Sequence, residues 1–177
     1  MELTKLHLRP QEQKILEGMG LHTVENIAIR YRDELGLGKR RGGDIVTRAR
    51  NLIAYERIKD IEIGDDAIVI TVSDTSRPTI SSIEYVLGVW DDLNRIVEEN
   101  RLIFRMPEAK PCSHCGAEPV YICRVCQVSL CQECLYQHEH DNQINLRYLR
   151  DRFQDVKNKC EDYIPMLSDR LIEEDDN

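Results

Sequence analysis

Six of the chain's seven cysteines fall between Cys112 and Cys134 as three Cys-x2-Cys pairs, and two histidines follow. The run reads Cys112-x2-Cys115-x7-Cys123-x2-Cys126-x4-Cys131-x2-Cys134-x3-His138-x-His140, eight candidate ligands in four pairs. Zinc takes four thiolate or imidazole ligands in a tetrahedron, and a Cys-x2-Cys turn places two sulfurs on one metal. Eight ligands therefore predict two zinc ions. A stretch this short and poor in apolar residues obtains from ligation the folding energy that its core lacks. The role is structural, because a full ligand set leaves no open position for a catalytic water. An iron–sulfur cluster would leave the terminal histidines without a purpose. A redox dithiol needs one such pair on a thioredoxin-like unit, not three in succession. His114, inside the first turn, is a bystander, and Cys160, far from the cluster, reads as a buried apolar residue.

A second motif is Leu35-Gly36-Leu37-Gly38-Lys39-Arg40-Arg41-Gly42-Gly43-Asp44-Ile45. A Gly-apolar-Gly turn bends sharply and presents amide N–H groups with no Cβ in the way. The helix that follows adds its own free amides and the positive end of its dipole, which together make an anion site. Lys39, Arg40 and Arg41 add charge, while a small residue at Gly42 and an apolar one at Ile45 allow close packing. Gly36, Gly38, Lys39, Arg40, Arg41 and Gly43 are the candidate nucleic-acid contacts. Such a turn grips phosphates without reading bases.

Both motifs resemble known families. The glycine turn resembles a helix-hairpin-helix. The wider stretch Ile15-Leu16-Glu17-Gly18-Met19-Gly20-Leu21-His22-Thr23-Val24-Glu25-Asn26-Ile27-Ala28 resembles the N-terminal helical domain of strand-exchange recombinases, in its first helix, glycine turn and Thr-Val-Glu helix start. The likeness covers roughly the first third of the chain. It implies a module that channels duplex DNA or contacts protein. His7-Leu8-Arg9-Pro10 stands where that family has the glycines of a first hairpin, so competence is expected only of the hairpin at Gly36 and Gly38. No Walker-type loop follows, so no ATPase or strand-exchange activity is implied. The cysteine run resembles a B-box zinc finger. That family's cross-brace would put Cys112, Cys115, Cys131 and Cys134 on one zinc, and Cys123, Cys126, His138 and His140 on the other. His138-x-His140 is tighter than the usual gap, and a RING finger fits badly because seven residues between the first two pairs is too few.

The elements that must position these motifs divide the chain into four: 1–60, a helix-hairpin-helix domain; 61–107, a β-α-β connecting segment; 108–143, the B-box-like module; and 144–177, a heptad-patterned helix with an acidic tail. In the first, Ile15, Leu16 and Met19, then Val24, Ile27 and Ala28, then Ile45, Ala49, Leu52 and Ile53 show helical spacing. Thr23 stands at an N-cap, and no strand pattern interrupts the region. In the second, Ala67–Val72 reads as a strand and Asp74–Pro78 as a loop. Ser81 or Ser82 then caps a helix whose stripe is Ile83, Val86, Leu87, Trp90, Leu93 and Val97. Leu102-Ile103-Phe104 is a second short strand. Asp91 and Asp92 lie beside Trp90, but adjacent carboxylates point to different sides of a helix and cannot work as an acid/base pair. In the fourth, Leu146, Leu149, Phe153, Val156, Cys160, Tyr163 and Leu167 form a heptad seam interrupted by Pro165, suited either to a homodimer or to packing on its own chain. Glu173 to Asn177 reads as a disordered acidic tail.

The chain has 177 residues and a net charge of −8, unevenly spread. Residues 1–59 carry 12 Lys/Arg against 8 Asp/Glu, and residues 60–177 carry 12 against 24. A basic head on an acidic body suits a chain whose one end meets a polyanion. No apolar run approaches the roughly 20 residues of a membrane span. Met1–Lys5 opens no signal peptide, and clustered cysteines suit a reducing, cytoplasmic compartment. No nucleophile elbow or phosphate loop is present. The expectation is an α+β, non-enzymatic zinc adaptor. Its head binds nucleic acid, DNA in preference to RNA, and its zinc module or C-terminal helix binds a protein. The work this implies is DNA repair, recombination or transcription. The alternative is a pure protein scaffold or regulatory subunit.

Overall fold

In the computed structural model, which describes residues 1–89 and 93–175, one long helix joins two hydrophobic cores. The first core belongs to a helical head. Helices α1 (Pro10–Gly18) and α2 (Val24–Ala28) are followed by a single 3-10 turn, Arg32–Leu35, and then by α3 (Lys39–Arg57). Thr23 caps α2 as expected, its Oγ1 accepting from the Asn26 amide at 3.2 Å. Leu16, Val24, Ile27, Leu35, Ile45, Ala49 and Ile53 fill the core, with Leu3 and Leu6 closing one side. Ile15 and Met19 are instead exposed. Both lie against Gly36, whose missing Cβ would touch the Met19 sulfur and an Ile15 methyl, so part of the α1 stripe covers the glycine turn.

Beyond α3 the chain runs directly into β1 (Ile58–Ile63), a strand the periodicity did not announce. It pairs with β2 (Ala67–Val72) and belongs to a four-stranded sheet of order β1-β2-β4-β3, antiparallel throughout. The remaining members are β3 (Asn94–Glu98) and β4 (Arg101–Arg105), with α4 (Arg77–Leu87) inserted after β2. The expected β-α-β piece is therefore part of an antiparallel sheet made of two hairpins, β1-β2 and β3-β4, connected through α4 and joined edge to edge by β2 and β4. Its helix also starts and stops earlier than expected. Ser76, not Ser81 or Ser82, holds the N-cap position, and Pro78 occupies the first turn where its missing N–H costs nothing. Asp74 Oδ1 accepts from the Ser76 amide and the Thr79 hydroxyl, which fixes that turn. Gly88 ends the helix in the left-handed conformation at φ 65°. Val97 accordingly lies on β3, exposed, and Leu93 is buried outside any helix. Trp90, Asp91 and Asp92 lie outside the described residues.

The last helix, α6 (Leu146–Asp175), lays its seam on this sheet. Leu149, Phe153, Val156, Cys160, Tyr163 and Leu167 are buried with Ile58, Ile61, Ile70, Ile83, Leu102 and Phe104. The seam is filled by the chain's own sheet. Pro165 lies within the helix and does not end it, and Glu173–Asp175 continue it where a disordered tail was expected. Side chains of α6 hold neighbouring carbonyls: Arg152 donates to Gly88 O at 2.9 Å, Lys157 to Asp65 O at 3.0 Å, and Arg170 to Ile58 O at 2.9 Å and to Tyr55 O. Burial pushes the Cys160 thiol up to about 12, so it stays a neutral, apolar side chain. No described helix is long and apolar enough to cross a membrane.

Candidate metal centres and anion-binding turn

The cysteine module is built on three short strands, β5 (Tyr121–Cys123), β6 (Ser129–Leu130) and β7 (Gln143–Asn145), in the order β6-β5-β7, with a one-turn helix α5 (Gln132–Leu135). Each Cys-x2-Cys pair sits on a tight turn. After Cys112 the Gly116 amide returns to the Cys112 carbonyl at 2.7 Å, with Gly116 at φ 75°. After Cys123 the Gln127 amide returns to the Cys123 carbonyl at 2.9 Å, with Gln127 at φ 59°. The third pair starts α5, whose N-cap is Cys131 itself, its sulfur accepting from the Cys134 amide at 3.5 Å. Ile122 and Ile144 pass from this module into the core beneath α6, and Asn145 Oδ1 caps that helix at the Arg147 amide. The module is thus fastened to the body by its β7 end.

These turns gather the eight ligands into two quartets. Cys112, Cys115, Cys131 and Cys134 form one and Cys123, Cys126, His138 and His140 the other, each with its ligand atoms within 4.8 Å of one another. The assignment is the one the B-box resemblance implied. Around a metal at about 2.3 Å from sulfur and 2.0–2.1 Å from nitrogen, tetrahedral edges are about 3.8 Å (S···S) and 3.6 Å (S···N). The Cys115 sulfur lies 3.6 Å from those of Cys131 and Cys134. Cys123 Sγ is 3.6 Å from His140 Nδ1, and Cys126 Sγ is 3.4 Å from His138 Nε2. A disulfide would need about 2.05 Å, and all seven cysteines are free. The donors fit a tetrahedral ion.

The tight His138-x-His140 gap closes because the two rings offer different nitrogens, Nε2 from the first and Nδ1 from the second. The rings stand 5.2 Å apart at 74°. His114 belongs to neither quartet; it meets His138 only edge-on, centroids 6.2 Å apart. The thiols of the first quartet compete for charge. Backbone amides, that of Cys131 foremost, lower Cys112 to about 6, whereas the sulfurs of Cys131 and Cys115 push Cys134 up to about 12. All four sulfurs could carry charge together only with a cation among them.

The glycine turn precedes α3 as predicted, but a single 3-10 turn stands where a helix-hairpin-helix has its first helix. Gly36 and Gly38 both have positive φ, 65° and 75°. Gly38 occupies the N-cap, where no side chain caps the helix and no acidic residue stands in the first turn. The first amides of α3 therefore lack an intrahelical partner and an anionic neighbour on their own turn. Lys39 and Arg40 are exposed beside them. Arg41 is not available in the same way: its Nε and Nη2 grip the Glu12 carboxylate at 2.5 and 2.8 Å. Gly43 lies next to Arg32 with ordinary clearance, whereas a Cβ on Gly42 would run into the Arg32 carbonyl oxygen. Close packing at Gly42 was anticipated; Glu12 was missed. Its signal was its place three residues after Arg9, since one oxygen accepts from the Arg9 amide at 2.9 Å and closes the start of α1.

No protein-family model, curated protein or solved structure matches this chain.

Proposed function

We propose that this chain is a non-enzymatic, zinc-stabilised adaptor that holds nucleic acid at its helical head and a protein at its zinc module. The observation that carries the reading is the pair of interleaved quartets, whose donor separations suit zinc in both. Cys112, Cys115, Cys131 and Cys134 hold one ion and Cys123, Cys126, His138 and His140 the other. Two complete donor sets leave no coordination position for water, which favours scaffolding over catalysis. Thiolate ligation also favours a reducing, cytoplasmic setting.

The head supplies an uncapped helix N-terminus between two glycines with Lys39 and Arg40 exposed, which suits sequence-independent contact with one or two phosphates of DNA. Arg41 holds the turn in place from behind. A role in repair, recombination or transcription follows from analogy with such heads. The zinc module presents Val125 and Tyr136, the latter 80% exposed, as its apolar contribution to a protein contact. These exposed side chains also favour the second reading, a pure protein scaffold. A gel-shift with duplex DNA decides between them: binding that disappears in the Lys39→Glu/Arg40→Glu variant supports the adaptor, and no shift at low salt leaves the scaffold. Native mass spectrometry should find two zinc ions per chain.

A further inference from the structure

A cleft of about 330 Å³ opens between the segment before the glycine turn, α3 and α4. Arg30, Arg32 and Arg50 line it together with Tyr31 and Tyr85, and no Asp or Glu does. One wall is fixed. The Arg50 guanidinium lies 4.6 Å over the Tyr85 ring while its Nε donates to Ala28 O at 2.8 Å. The Tyr85 hydroxyl is held in turn at 2.9 Å from Thr47 Oγ1. Residues 30–34 of the lining segment are exposed. Tyr31 is 76% exposed, and its ring stacks on nothing among the described residues. Arg30 is exposed, and among the described residues it has no ion pair while that of Arg32 is with the exposed Asp33 at 3.7 Å. The nearby Glu34 carboxylate is engaged by the Tyr31 amide at 3.0 Å. Gly43 forms part of the lining, so the cleft adjoins the first turns of α3.

Guanidinium forks match phosphate oxygens, and an exposed aromatic ring beside them offers a platform for a base. A duplex hides the faces of its bases, so a stacking ring serves only an unpaired one. We propose that this cleft binds single-stranded nucleic acid, one base stacking on Tyr31 while Arg30, Arg32 and the fixed Arg50 take the flanking phosphates. The inference rests on the reading of the head as a nucleic-acid module and adds the kind of strand it holds. A head that grips duplex backbone at Lys39 and Arg40 and an unpaired base beside it selects the boundary between paired and unpaired strands.

Fluorescence anisotropy on the full chain at low salt, with labelled oligothymidylate and a blunt duplex as separate probes, tests this. Tyr31→Ala should weaken oligothymidylate binding about 5- to 160-fold, the loss expected for one stacked base, and leave duplex binding unchanged. Tyr31→Phe should keep both. If the chain binds duplex but not oligothymidylate, or if Tyr31→Ala binds oligothymidylate like the parent chain, the cleft proposal fails, and the duplex reading then stands or falls on the duplex probe alone. Tyr31-dependent binding of oligothymidylate without duplex binding upholds the cleft and overturns the hairpin as a duplex grip. Binding of neither probe overturns both.

Discussion

The Glu12 carboxyl, ordinarily near 4.5, is held at about 2, first by the hydrogen bonds from Arg41 and then by the Arg9 amide. A group held below its ordinary value adds stability that is complete above about pH 4.5 and is lost as pH falls toward 2. The Arg41 side chain is 35% exposed, so solvent weakens the pair. Glu12→Gln should therefore destabilise the chain by about 1 kcal/mol near neutral pH. In urea unfolding, its deficit relative to the parent should close across that acid window. The two adjacent glycines of α3 make a sharper contrast. Gly42→Ala forces a methyl onto the Arg32 carbonyl and should cost about 1–3 kcal/mol. Gly43→Ala has room, and because alanine suits a helix interior it should be neutral or stabilising by up to about 1 kcal/mol. Thermal unfolding of the two variants side by side checks the pair. Arg41 shows the limit of a motif at this scale: a basic residue in a basic run resembles a ligand contact until the partner that claims it, Glu12, is brought to it by α1.

Elements were legible where one chemistry dominated. The Cys-x2-Cys turns need metal more than anything else in the chain does, so their spacing carried the module almost alone. The sheet was harder. The five residues of β3 are all exposed and leave no buried alternation to detect, and β1 alternates only partly, with its register slipping between Ile58 and Asp60. The α4 stripe ran past its true end because Leu93 and Val97 continue the helical spacing beyond Gly88, which the left-handed turn overrides. The seam of α6 was visible as a seam, but periodicity does not say whose surface fills it. With the sheet beneath it, Leu149→Ala should cost about 2–5 kcal/mol by opening a cavity. The unfolding midpoint should not move with protein concentration, as it would for a coil between chains. In the Cys/His module, on the proposed reading, Cys131→Ser should release metal and melt β5–β7, whereas His114→Ala should leave the metal content of the parent chain unchanged in native mass spectrometry.

At the scale of the whole molecule, the basic head and the acidic body act on a polyanion in opposite directions, and salt should reveal the balance. If the head grips DNA as proposed, losing the Lys39 and Arg40 contacts should lower the slope of log affinity against log salt by roughly 0.9 per phosphate contact on duplex DNA. A slope unchanged in Lys39→Glu/Arg40→Glu would place the phosphate contacts elsewhere. The body has its own asymmetry, which lies in the order of its parts. The four-stranded sheet is complete at Arg105, yet the seam that covers it does not finish until Leu167. Between them lies the Cys/His module, which on the proposed reading gains its folding energy only when its ions bind. On a ribosome adding about 5–20 residues per second, the apolar side of the finished sheet stays bare for several seconds while the rest is made. For that interval the nascent chain has the exposed surface of an aggregation-prone intermediate, and a shortage of metal would prolong it. On the proposed zinc reading, a cell short of zinc should retain less of this protein after its synthesis.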